Sequence, residues 1–273
     1  MAIKRLLINK MGLIGALIIL AIVLTAIFAP LIATHEPLKI DMLHQVELPS
    51  DQFWFGTDEY GRDIYSRVIY GSRITLYISI LSVAVATLFG VLIGAVSGYF
   101  GGWIDTIVMR LMDAVMSFPA ILLAIGIMAV LGGNLNNVVI ALGFVYIPRF
   151  ARIVRGSVLS LKGKEFVEAA LATGKGDFYI IFRHILPNCM APLIVQITAS
   201  LAYAILAESA LSFLGLGAPP PAPSWGNILS DARNFMLDNV WMTVFPGIAI
   251  TLTVLGFNLL GDALRDVLDP RLR

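Results

Sequence analysis

Cysteine is almost missing from this chain: Cys189 is the only one in 273 residues. A disulfide within the chain is therefore excluded, and so is a metal site built on thiolates. Histidine is nearly as scarce. His35, His44 and His184 lie far apart, and none has a second histidine or a paired carboxylate at ligand spacing. Charge is the third deficit. Asp, Glu, Lys and Arg make up 14% of the residues, where a soluble domain carries about a quarter. Apolar residues fill 58% of the chain and mean hydropathy is +0.87. A water-soluble domain is excluded, and the composition is that of an integral membrane protein.

Two kinds of chemistry are also absent. No phosphate-cradling loop of the form G-x-x-x-x-G-K-[ST] occurs, because Gly174-Lys175 has Ala169 where the first glycine is required. No serine and histidine pair falls within the apolar runs, which argues against intramembrane serine hydrolysis. The chain is expected to bind no cofactor of its own, no metal and no nucleic acid, and to have no catalytic residue.

What is present is a series of apolar runs, each long enough to cross about 30 Å of hydrocarbon or nearly so. Six spans are expected, at about 11–33, 74–97, 110–131, 138–155, 190–217 and 241–261. The first follows Lys4, Arg5 and Lys10 and exceeds a signal peptide's apolar region of roughly 7–15 residues, with no Ala-x-Ala site after it. Between spans one and two lies a mixed polar loop, 34–73. Within it Thr57 to Tyr70 reads as an amphipathic helix, with Ile64, Tyr65, Val68 and Ile69 on one face, lying flat at the surface or over a pore mouth. In span two Gly90, Gly94 and Gly98 recur every fourth residue, continued by Gly102, a spacing that lets helix backbones approach closely in lipid. Span three holds Arg110 and Asp113, spaced to pair, and Pro119, expected to kink it. Arg149, Arg152 and Arg155 lie in the last turns of span four at three-residue spacing and snorkel or project inward. Span five carries Glu208, the only carboxylate deep in an apolar run, with Ser212 one turn on. A carboxylate there either lines a path or is a structural group bonded to a neighbouring helix. A Pro-rich loop, 218–240, precedes the last span.

Six spans put both termini on one side. Placing 14 of the 19 lysines and arginines on that side makes it the cytoplasm. The loop 34–73 and the Pro-rich loop are then outside, and the segment 156–187 is inside. That segment has good helix formers from Glu165 to Ala172, a break at Gly174 and Gly176, and Pro187 at the next boundary. It reads as helix, turn, short helix: a rigid knob suited to a groove on another protein. The whole is an all-α membrane protein of one transmembrane domain, 1–273.

Several motifs carry a family resemblance. Glu168-Ala169-Ala170, Gly174 and Leu186-Pro187 resemble the loop signature E-A-A-x3-G-x9-I-x-L-P of bacterial ABC-importer permeases, with His184 in place of the isoleucine. Gly56-Thr-Asp-Glu-Tyr-Gly-Arg-Asp63 with Ser66-Arg67 and Gly71, then Ser212-Phe-Leu-Gly-Leu-Gly217 with Trp225-Gly226, then Phe257 to Asp266 with Asp269-Pro270, are similar to the second permease of the dipeptide/oligopeptide/nickel importer family.

That resemblance implies an inner-membrane, multi-pass subunit that moves cargo without hydrolysing ATP. It implies a second permease, two ATPase subunits carrying ATP and Mg, and an external solute-binding protein, with lipid around it and a peptide as cargo. Glu168, Ala169, Ala170 and Gly174 are then the ATPase-coupling positions. Glu208 and Ser212 are candidates for the path lining. Gly56, Thr57, Asp58, Gly61, Arg62 and Asp63 form the outer-loop motif. The alternative cargo is nickel or a metal chelate, and the alternative class is an ion-gradient-driven carrier.

Overall fold

The computed structural model describes residues 9–268, so Lys4, Arg5, Asp269, Pro270, Arg271 and Arg273 lie outside the described residues. The described residues are helical, apart from loops and one isolated bridge between Thr57 and Asp63. The helices are α1 (Lys10–Ile27), α2 (Ala29–Ile32), α3 (Ile64–Phe100), α4 (Gly102–Met116), α5 (Ala120–Leu131), α6 (Leu135–Lys162), α7 (Glu165–Ala172), α8 (Asp177–Ile180), α9 (Met190–Phe213), α10 (Trp225–Ala232) and α11 (Trp241–Leu268).

Five helices are long and apolar enough to cross a bilayer, counting α8 through α9 as one, and the bent pair α4–α5 is a further candidate. The bend between α4 and α5 is 89° at Ser117–Pro119, far more than a kink. Pro119 has no N–H to give the preceding turn, so α4 stops and α5 begins anew in a different direction. The expected surface helix at 57–70 is corrected by the structure. Residues 57–63 are a compact loop, and Ile64 already belongs to α3, which runs without a break to Phe100. Asp63 starts it by accepting from the Ser66 N–H at 3.0 Å, so the helix begins where its cap stands and not at Thr57.

The glycine row on α3 sits against α6. A Cβ on Gly90 would lie 2.4 Å from Phe150 Cβ, one on Gly94 2.3 Å from the Ala151 carbonyl oxygen, and one on Gly98 2.9 Å from Val158 Cβ. Three helical turns of α3 thus lie directly on the α6 backbone, a separation only glycine allows. Gly102 does not continue the row. It has open space around it and a φ of +57°, and it serves the turn into α4. The arginine row on α6 faces α4. Arg155 meets Asp105 at 2.5 Å and Arg152 meets Asp113 at 2.5 Å. The expected Arg110–Asp113 pair gives way because Arg152 reaches Asp113 across the helix gap. At the other edge α1 lies antiparallel on α11, with Gly15 against the backbone at Gly256 and Leu260.

The helices define two ends. One carries α7, α8 and the outset of α9, together with the ends of α3, α6 and α11. The other carries the loop 34–63, α10 and the turns on either side of it.

Candidate functional sites at the two ends of the helical body

At the first end, the chain leaves α6 at Gly163 and forms α7, a tight turn and α8. Asp177 stands inside the first turn of α8, with Gly176 at the cap position. Its carboxylate instead accepts a hydrogen bond from the Tyr99 hydroxyl at 2.8 Å, at the last turn of α3. The Lys162 ammonium donates to the Tyr99 carbonyl at 2.5 Å and lies over its ring. Val167, Ala170, Ile180, Ile181 and Ile185 are buried and join the core formed with Val154 and Val158 of α6. The knob is therefore braced on both α3 and α6.

Its other face is open. Glu168, Ala169 and Gly174 are exposed, as the sequence reading needs for contact positions, whereas Ala170 turns inward and is 7% exposed. Gly174 has a φ of +73° with open space around it, so the turn needs glycine for its backbone and not for room. Phe166, Leu171, Phe178 and Phe182 are large apolar side chains standing in the open on this end. Sequence reasoning missed them because helical aromatics near a membrane read as ordinary core. It also missed Tyr99, which no local pattern links to a residue 78 positions away.

At the second end, Thr57, Asp58, Arg62, Asp63, Ser66 and Arg67 are all buried. Asp58 is the hub. Its Oδ1 accepts from the Tyr60 and Arg62 N–H groups at 2.9 Å, and its Oδ2 faces Arg62 Nε at 2.7 Å and Arg67 Nε at 3.4 Å. Asp231 of α10 closes the cluster, 3.3 Å from Arg62 and 3.0 Å from Arg67. Gly61 and Gly56 hold positive φ of +70° and +78°, and a Cβ on either would run into backbone at Asp41 or Glu47. Burial pushes the Glu59 carboxyl above its ordinary range, and its Oε2 finds no partner among the described residues.

The motif of Ser212 to Gly217 with Trp225-Gly226 meets the same place. Trp225 is 1% exposed and its Nε1 donates to the Val68 carbonyl at 2.9 Å. A Cβ on Gly71 would lie 2.6 Å from the Pro223 carbonyl, and one on Gly226 2.4 Å from the Ser209 carbonyl. Glu208 and Ser212 are shut inside the chain at 0% and 1% exposure. Ser212 Oγ donates to Glu208 Oε1 at 2.8 Å, and Ser209 Oγ lies 3.4 Å from Oε2. Thr75 of α3 and Ser224, at the cap of α10, flank the carboxylate. Glu208 thus stands where α3, α9 and the α10 cap converge, rather than on an open channel wall of this chain.

Comparison with known proteins gives the family. Residues 90–273 match the family described as binding-protein-dependent transport system inner membrane component, and residues 1–49 match the N-terminal TM domain of oligopeptide transport permease C. The chain is 47% identical to the dipeptide transport system permease protein DppC of Alkalihalophilus pseudofirmus, over 100% of this chain and 90% of that one. It is 44% identical to the glutathione transport system permease protein GsiD of Escherichia coli, over 97% and 88%. A solved structure of the MetNI methionine ABC transporter, in inward-facing conformations, shares the fold at TM-score 0.62 and 19% identity, covering 74% of this chain and 96% of that one. The chain belongs to the binding-protein-dependent transport system inner membrane components, the multi-pass bacterial inner-membrane subunits of ABC importers, and is a transport component rather than an enzyme.

Proposed function

We propose that this chain is one of two permease halves of an ATP-driven importer of di- and oligopeptides. The observation that carries the reading is the braced knob of α7 and α8, with Phe166, Leu171, Phe178 and Phe182 exposed on it. A motor that sits outside this chain must push on an element that moves as one body with the spanning helices. The knob meets that need, because Tyr99, Lys162 and the buried aliphatic side chains fix it to the ends of α3 and α6. Glu168, Ala169 and Gly174 are the positions that would meet the ATPase, with ATP and Mg held there and not here. The knob end then faces the cytoplasm. The opposite end, with Asp58, Arg62 and Arg67 locked to Asp231, faces outward as the rigid platform on which a solute-binding protein releases cargo. Relatives named for dipeptide and glutathione transport support short peptides as that cargo.

The test uses the assembled transporter with both permeases, the ATPases and the binding protein. A cysteine at Ala169 should cross-link to an ATPase subunit, and Gly174→Val should lower peptide uptake per ATP hydrolysed. The strain of φ +73° on a β-branched residue is about 1–3 kcal/mol, enough to shift the turn. Cross-linking to no ATPase subunit, or uptake that continues without one, would favour a gradient-driven carrier. Receptor-delivered nickel with no peptide would favour the metal-chelate cargo.

A further inference from the structure

We infer that the break between α4 and α5 holds a binding site for the terminal carboxylate of the transported peptide, a reading that rests on the peptide-importer function above. A cavity of about 200 Å³ lies at the break, lined by Val115, Met116, Phe118 and Ala120 on either side of the break and by Val145, Tyr146 and Arg149 from α6. Three features of this cavity suit an anion.

The first is Arg149. Its neighbours in the row, Arg152 and Arg155, are each neutralised by an α4 carboxylate. Among the described residues Arg149 has no carboxylate within ion-pair distance, and its guanidinium rests 5.3 Å from the Tyr203 ring centre. It stands near the middle of α6 with its side chain exposed at the cavity. A cation on a membrane-spanning helix is costly unless something negative or aqueous meets it. The second is Tyr146. It is 7% exposed as a whole residue and lines the cavity, where its hydroxyl is accessible and can donate to an acceptor. The third is the start of α5. Pro119 occupies the cap position and no side chain caps the helix, which leaves first-turn N–H groups free at its positive end.

A carboxylate placed here would accept two hydrogen bonds from the Arg149 guanidinium and one from the Tyr146 hydroxyl, with the α5 amino end beside it. Every unmodified peptide carries such a group, whatever its side chains. The Phe118 ring, 60% exposed at the break, gives the adjoining residue an apolar wall. Recognition of the terminus alone fits a permease that accepts many sequences.

The site is tested by equilibrium binding to the purified permease–ATPase assembly in nanodiscs, without the binding protein. The probes are a labelled dipeptide and the same dipeptide as its C-terminal amide. The wild type should bind the free acid about tenfold or more tightly than the amide. Arg149→Gln should abolish that preference, Arg149→Lys should keep part of it, and Tyr146→Phe should weaken acid binding several-fold while leaving amide binding unchanged. Equal binding of acid and amide by the wild type, no binding of either, or an Arg149→Gln variant that still prefers the acid would each overturn the inference. Size-exclusion profiles and basal ATPase rates matching the wild type show that the variants have assembled, and Arg149→Lys carries the test if Arg149→Gln does not. Peptide uptake by the wild-type assembly is scored separately. Its loss refutes the importer reading and this site with it, whereas normal uptake with carboxylate-blind binding refutes the site alone.

Discussion

Removing one oxygen atom at Tyr99 should loosen the whole α7–α8 knob. Tyr99→Phe deletes the hydroxyl that donates to Asp177 at 2.8 Å and keeps the ring, the Lys162 contact to it, and the backbone carbonyl that Lys162 also reaches. A hydrogen bond to a charged acceptor contributes about 1.5–3 kcal/mol. The Tyr99 side chain is buried but Asp177 is exposed, so the lower figure applies. About 1.4 kcal/mol is a tenfold change in an equilibrium constant. The open population of α8 should therefore rise about tenfold while α3 and α6 stay as they are. Amide hydrogen exchange reads this directly, because local opening of a helix sets the exchange rate of its amides. Protection at Ile180, at the end of α8, and through the helical turn that continues to Ile185 should fall about tenfold in Tyr99→Phe, and by less in Asp177→Asn, which keeps an acceptor oxygen. Within the assembled transporter the same variant should consume more ATP per peptide moved. Exchange in α8 indistinguishable from the wild type would show that the buried aliphatic contacts alone hold the knob, and the bracing argument would fall.

Three further outcomes follow from the geometry. Gly94→Val must open the α3–α6 contact by about 1 Å, since its Cβ would start 2.3 Å from the Ala151 carbonyl oxygen; a loss of about 1–3 kcal/mol is expected, read as a lower thermal midpoint in detergent. Asp231→Asn leaves the buried Arg67 facing Asp58 alone, and because Asp231 is one-third exposed the cost should be about 1–3 kcal/mol, less than for a fully buried pair, measured by chemical or thermal unfolding. Glu208→Gln keeps an acceptor for Ser212 and should fold within about 1 kcal/mol of the wild type, whereas Glu208→Ala should lose about 2–4 kcal/mol through a cavity and unpaired hydroxyls. Altered transport kinetics in Glu208→Gln would place the residue on the cargo path; unchanged kinetics would leave it a structural tie.

Much of the candidate site was legible because its signals are local. The glycine spacing on α3 announced a close helix contact, and the break at Gly174 announced a turn. The failures share one cause. Thr57 to Tyr70 has helical periodicity, but its first half folds as a loop because Gly56 and Gly61 adopt left-handed backbone and Asp58 draws N–H groups and two arginines around itself. Arg110 and Asp113 have the right spacing to pair, yet Arg152 wins Asp113 from another helix. In each case a partner distant in sequence overrode a correct local preference.

By itself the sequence determined the solvent and the class of the chain, since 58% apolar residues and runs of membrane length have no stable place in water. It also placed the knob between the fourth and fifth apolar runs, because helix formers, glycines and proline act over a few residues. Only the tertiary structure decided that the motifs of Gly56 to Gly71 and Ser212 to Gly226 make one end of the molecule, that Glu208 is enclosed, and that α4 and α5 part at 89°. Those outcomes depend on which helix packs against which. Such packing is set by shape and charge meeting across the fold, which no window of neighbouring residues contains.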